Sequence, residues 1–237
     1  SAMTARFFSR CDGFVVMSKT VEDDLIKIEP NSKYRKTPHP IYEVFGEPIS
    51  RLEAKKKIGV TEEKIILNFG LIRDYKGLDL LIESAKTLKE KLDNFKIIVV
   101  GECYGDENEY IQLAIENNVS DVIDFRFEFV PNEIVNQYFC AADVVVLPYK
   151  SATQSGVVPI AYHFNIPVVV SNVGGLPEIV EEGKSGFVCE PNSDSISKGV
   201  LKYYESDREK YPTFIQGYKQ QFSWDNYTKV ILELAQI

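Results

Sequence analysis

Histidine and paired cysteine are scarce in this chain. Only His39 and His163 occur in 237 residues, and the four cysteines, Cys11, Cys103, Cys140 and Cys189, lie far apart with no C-x-x-C pair. Zinc sites need closely spaced Cys and His ligands, so no zinc site is readable. Scattered cysteines in apolar surroundings fit a reducing compartment, and cytoplasm is the expected location. A basic excess is also missing. The formal net charge is −8, which argues against the basic face a nucleic-acid partner requires. The run Lys55-Lys56-Lys57 reads as the solvated face of a helix. No apolar run approaches the length of a membrane span, and no signal peptide is visible. Ser1-Ala2 ahead of Met3 reads as a scar of tag removal and is set aside.

What is present is an ordinary globular composition, 44% hydrophobic and 26% charged, with room for one large or two small domains. Strand-like runs recur at residues 14–17, 65–70, 97–101, 122–125, 144–148 and 168–171. They are continuous apolar runs, as strands buried on both faces of a parallel sheet require. Helical patterns fill the gaps. Leu78, Leu81, Ile82, Ala85 and Leu88 repeat at helical spacing, and residues 131–142 and 156–165 form shorter segments. This alternation predicts a doubly wound α/β domain with a Rossmann-like parallel sheet. Residues 32–46, with Pro38, Pro40 and nearby Pro48, read as a hinge or linker. A last helix is expected to start at Ser223, a suitable N-cap.

Ligands of doubly wound sheets bind outside the carboxyl ends of the strands. Three segments converge on that edge: residues 70–77, 101–105 and 150–156. The first lies in FGLIRDYKG, residues 69–77, a strand entering a glycine turn with Arg73 and Lys76 before the next helix. Arg offers a planar fork to phosphate oxygens and Lys a mobile point charge. The alternative is a solvated turn with ordinary surface cations. Residues 151–156, SATQSG, are hydroxyl-rich, end in glycine and lead into a helix, which suits an anion cradle. The alternative there is a plain helix cap with Ser155 as the capping residue. Asn172-Val173-Gly174-Gly175 permits close backbone approach or serves as a simple turn before Pro177. Glu178 reads as compensating a helix dipole, and His39 and His163 as structural.

Taken in order, several segments resemble the carboxyl-terminal half of a GT-B glycosyltransferase of the large retaining family 4 type, the glycosyl transferases group 1. They are FGLIRDYKGLDLLIESA, IIVVGE, FVPNEIVNQYFCAADVVVLPY, NIPVVVSNVGGLPEIVEEGKSGFVCEP and FSWDNY. CDGFVVMSKTVEDDL and RKTPHPIYEVF resemble the end of that family's first domain and its crossover. The resemblance implies a remnant of the first domain over residues 3–45, a nucleotide-sugar donor domain over 46–222 and a carboxyl-terminal helix over 223–237. It implies a diphosphate site of Gly70, Arg73, Lys76, Ser155 and Gly156, with Arg73 and Lys76 stabilising the leaving charge. Thr153, Gln154, Gly174 and Gly175 would face the sugar, and Phe129 and Val130 the base. The first domain, with its acceptor site, is expected to be absent.

The same resemblance implies transfer of a hexose, with retention, from a donor such as a UDP- or GDP-hexose to a glycan or lipid-linked acceptor. It implies no metal and no cofactor, and for the whole enzyme a cytoplasmic location, peripheral to the inner face of a membrane. No Asp-x-Asp stands in the loops assigned to the site. One departure is plain: the family's two glutamates, eight positions apart, fall here on Ala152 and Ile160. A non-catalytic binding module and a nucleotide-sugar epimerase therefore stay open as alternatives, and a response-regulator-like switch as a weaker one. The amino-terminal strand, lacking its own sheet, needs cover. Residues 3–27 are expected to pack on the donor domain or on a second copy of the chain, as a homodimer, burying Phe7, Phe8, Phe14 and Val16.

Overall fold

The computed structural model describes residues 6–236. A six-stranded sheet forms the centre: β3 (Lys64–Phe69), β4 (Phe95–Val100), β5 (Ile123–Arg126), β6 (Val144–Leu147), β7 (Val168–Ser171) and β8 (Gly186–Cys189). All pairings are parallel, in the order β5-β4-β3-β6-β7-β8. Ile65 to Leu67, Val144 to Leu147 and Val168 to Val170 are wholly buried. Helices cover both faces of such a sheet, which is why the strands read as continuous apolar runs.

The helices are α1 (Lys19–Ile28), α2 (Arg51–Ile58), α3 (Leu78–Lys91), α4 (Glu107–Glu116), α5 (Asn132–Ala141), α6 (Val157–His163), α7 (Ser193–Glu205), α8 (Lys210–Tyr218) and α9 (Trp224–Ala235). Leu78, Leu81, Ile82, Ala85 and Leu88 form the buried stripe of α3, as their spacing predicts. That helix packs on α7, and α2 packs on α5. Ser223 caps α9, accepting the Asn226 N–H at 3.3 Å. Among the described residues, no helix is long and apolar enough to cross a membrane.

The chain order reverses between β3 and β6, and Asp143 pins that junction at its amino end. Its side chain is 5% exposed. It accepts the Ile65 N–H at 2.6 Å and meets the Arg51 guanidinium at 2.7 Å.

The segment before the sheet departs from the linker expectation. Within residues 32–46 lies β2 (Tyr34–Lys36), which pairs in parallel with β1 (Phe14–Val16). With α1 between them, these strands make a small βαβ unit. It packs on its own chain: α9 contacts β2, and the Ile41 N–H donates to Phe222 O at 2.8 Å. Val16 is buried, whereas Phe8 and Phe14 are half-buried, with their rings 5.0 Å apart. Phe7 corrects the expectation. It is 66% exposed, because among the described residues its only ring neighbour is Phe8, itself half-buried near the surface. Residues 3–5 lie outside the described residues.

Removing the Asp143 carboxylate would strand the buried Ile65 amide, whereas Arg51, 43% exposed, keeps its bond to Glu63 O. Asp143→Ala should cost roughly 1–3 kcal/mol, read as a lower denaturation midpoint in urea. Asp143→Asn, which keeps an acceptor, should cost clearly less.

Candidate nucleotide-sugar site

The site is set by how far β3 and β6 stay together. They pair at Ile66 with Val144 and at Leu67 with Val145. Beyond that the buried Asn68 amide spans the gap, donating to Val146 O at 2.9 Å. A crevice opens where the strands part, at the carboxyl edge and at the topological switch point.

Main-chain bonds lace three loops around this crevice. The Ile72 N–H donates to Glu102 O and the Tyr104 N–H to Ile72 O, both at 2.9 Å. On the other side the Lys150 N–H donates to Tyr75 O at 2.8 Å. These are the three segments that the sequence placed at this edge. The result is an open cleft of about 560 Å³, lined by Tyr75, Lys76, Ala152, Thr153, Gln154 and Gly156 among others.

Charge is distributed unevenly here. Lys150 is neutralised, 2.7 Å from Asp74 and 2.9 Å from Asp79. Lys76 is half-buried in the one-turn helix Asp74–Lys76, with no carboxylate partner among the described residues. Its ammonium lies beside Gly70 at the end of β3 and 5.6 Å from the centre of the Tyr149 ring. Burial pushes its pKa down, and the nearby Arg73 charge adds to that. Arg73 is exposed, with its guanidinium 4.7 Å over the Tyr104 ring and likewise no acidic partner among the described residues. A desolvated, unpaired cation is costly unless an anion completes it.

The 151–156 loop divides its side chains by role. Thr153 and Gln154 are exposed to the cleft. Ser155 is buried, with its hydroxyl 3.2 Å from both the Val157 N–H it accepts and the Tyr149 hydroxyl. Its side chain therefore caps and shapes the loop. Burial pushes Tyr149 up to about 12, so that hydroxyl stays neutral. Gly156, in the αR region, is exposed at the cleft. Where the family resemblance places a second glutamate, Ile160 is packed into the core at 7% exposure and offers no polar group. Ala152 lines the cleft without one.

Gly174 has φ +52, and a side chain there would strike the Ala152 carbonyl. Gly174 is exposed, while Gly175 is buried, donating its N–H to Thr153 O at 2.9 Å. The two loops assigned to the sugar are thus bonded to each other. Val130 joins the core and Phe129 is 70% exposed, so Val130 has only its backbone groups to offer a base.

His39 is satisfied within its own turn, with Nδ1 2.7 Å from Pro40 O and Nε2 3.0 Å from the Tyr42 hydroxyl. His163 Nε2 lies 3.4 Å from Gly46 O. Glu178 stands in the one-turn helix Pro177–Ile179, and its carboxylate accepts the Lys19 N–H at 2.7 Å. It compensates the amino terminus of α1, not of its own turn. Asn68, Tyr104 and Tyr149 were not picked out from the sequence. A lone amide inside an apolar strand was the available signal for Asn68.

The chain is similar in sequence and in fold to known glycosyltransferases. The chain is 30% identical over 198 residues to an uncharacterized glycosyltransferase of Methanocaldococcus jannaschii, covering 79% of this chain and 48% of that protein. It is 30% identical to the D-inositol 3-phosphate glycosyltransferase of Corynebacterium urealyticum, covering 76% of this chain and 45% of the relative. It thus spans about half the length of these curated relatives. Anabaena HepE, solved in complex with UDP, superposes with a TM-score of 0.82 at 19% identity, over 100% of this chain and 68% of that one. Sucrose-phosphate synthase from Thermosynechococcus elongatus gives 0.80 at 20% identity, over 99% of this chain and 59% of that one. The GT-B type of Rossmann-like fold is shared with both. The family model for glycosyl transferases group 1 matches residues 50–221, and the chain belongs to that family.

Proposed function

We propose that this chain binds a nucleotide-diphosphate sugar across the β3–β6 crevice, as the donor half of a glycosyltransferase. The whole protein would transfer a hexose, with retention, to a glycan or a lipid-linked acceptor; for the latter it would work at the cytoplasmic face of a membrane. One observation carries the reading: among the described residues, Lys76 is half-buried at the switch point with no carboxylate to neutralise it. A diphosphate supplies the missing charge. Arg73 turns from Tyr104 to the same group, and the two cations stabilise charge developing on the leaving diphosphate. The relative HepE is solved with UDP, which makes UDP the first probe.

Protein cations, not a metal ion, would do this work. Among the described residues no group of three or more His, Cys, Asp or Glu stands together as a metal site. Asp74 and Asp79, the carboxylates nearest the cleft, are held by Lys150. No cofactor beyond the donor is required. A second reading has its own support. Ala152 and Ile160 leave the sugar end without an acid, which suits a module that binds the donor without turning it over. Donor binding by a full-length protein that lacks transferase activity would favour it.

Charge-assisted contacts are worth roughly 1.5–3 kcal/mol each. Arg73→Ala and Lys76→Ala should each weaken UDP binding by about one to two decades, with a smaller effect on uridine. Calorimetry showing equal losses for both ligands would refute the diphosphate assignment. UDP affinity should also survive EDTA; collapse on chelation and recovery with Mg²⁺ or Mn²⁺ would point to a different kind of site.

Two further outcomes follow from the side chains. Gln154→Ala should reduce UDP-glucose binding while leaving UDP almost unchanged; an unaltered preference returns the loop to a capping role. Bound diphosphate should restore the depressed Lys76 pKa, so binding in alkaline buffer should take up protons. Calorimetry in buffers of different ionisation enthalpy would detect this, and Lys76→Met should abolish it.

A further inference from the structure

Behind the cleft, the amino-terminal βαβ unit and the sugar-end loops are joined by one side chain. We propose that Glu178 is a positioning residue that fixes the Thr153-Gln154 and Gly174-Gly175 loops relative to that unit, so that sugar recognition depends on where the unit sits. The proposal rests on the donor-site reading above.

The contacts form a continuous stack. One Glu178 oxygen accepts the Lys19 N–H at 2.7 Å, and the other meets the Lys36 ammonium at 3.2 Å. Lys19 opens α1 and Lys36 closes β2, so a single carboxylate ties both elements of the unit. Glu178 is bonded in turn to the glycine loop, its N–H donating to Gly175 O at 3.3 Å. Gly175 lies flat against Ser18, and a side chain there would collide with Ser18 Cβ and with the Thr153 carbonyl. Ser18 is 1% exposed and caps α1. On its far side Gly175 holds Thr153 through its N–H. Behind the stack the remaining gap is only about 10 Å³, bounded by Met17 and His39 from the unit's side and Gln154 from the cleft loop.

Gly175 and Ser18 are packed too closely to move independently, while Glu178 holds its bonds at the surface. If the βαβ unit shifts, the Gly174-Gly175 loop and the Thr153 carbonyl must follow, or the Glu178 bonds must break. The diphosphate cations are held apart from Glu178, Lys76 beside Gly70 and the Tyr149 ring and Arg73 over Tyr104. The carboxylate should therefore act on the sugar and not on the nucleotide.

The test compares Glu178→Ala, Glu178→Gln and the unaltered chain. Amide exchange at Gly175 should accelerate in Glu178→Ala, and UDP-glucose affinity should fall about tenfold while UDP affinity stays unchanged. Glu178→Gln, which keeps an acceptor for the Lys19 N–H but loses the ion pair, should fall between. Lys36→Met removes one bond without touching the glycine loop and should reproduce part of the effect if Glu178→Ala fails to fold. Gly175 exchange unchanged in Glu178→Ala, or equal losses for UDP and UDP-glucose, would overturn the proposal. If the unaltered chain binds no UDP, the donor reading fails, and the exchange measurement alone decides the role of Glu178.

Discussion

Everything at the carboxyl edge depends on the short partnership of β3 and β6. Because the chain order reverses there, the helices that follow these strands leave on opposite faces, and a crevice opens between the strand ends. Asp143 holds the strands together at one end, and Asn68 carries the last bond across before they part. Without the first, the junction would loosen from below. Without the second, the Val146 carbonyl would be left without that donor in a dry interior. The crevice is thus a consequence of backbone topology, and the side chains around it furnish a space that already exists.

Within that space the lysines show how context sets the use of a charge. Lys150 and Lys76 both border the cleft, yet Lys150 is bridged to acids and Lys76 is not. A half-buried ammonium against Tyr149 has lost water without gaining a counter-ion among the described residues. Such a group persists when something outside the chain completes it. Ile160 makes the opposite case. Its side chain is absorbed into the core and offers the cleft no polar group.

The central strands were legible because each is buried on both faces, which leaves an unbroken apolar signature. Arg73 and Lys76 were legible because they sit between a strand end and a helix start. Elsewhere the signal was too local. β2 is Tyr-Arg-Lys, three polar-leaning residues beside prolines, and becomes a strand only through pairing with β1 and cover from α9. β8 is four residues beginning with glycine, and α4 carries only one fully buried residue, Ala114, so its stripe is weak. Glu178 faces the dipole of a helix far off in sequence, which local spacing cannot show, since its partners stand 159 and 142 residues away. Tyr149 could not be singled out because its role arises from Ser155 and Lys76 meeting around it.

The neutralised lysine has a kinetic side. Asp74 and Asp79 also line a neighbouring acidic groove with Asp106, Glu109 and Glu116, immediately beyond Tyr104. The whole chain carries −8. An anionic ligand therefore approaches against a repulsive field and meets attraction only at close range, within about one Debye length, roughly 8 Å at physiological ionic strength. Added salt screens the long-range repulsion before it weakens the docked contacts. Encounter rate and equilibrium affinity would then respond to ionic strength in opposite directions, the reverse of an electrostatically steered enzyme.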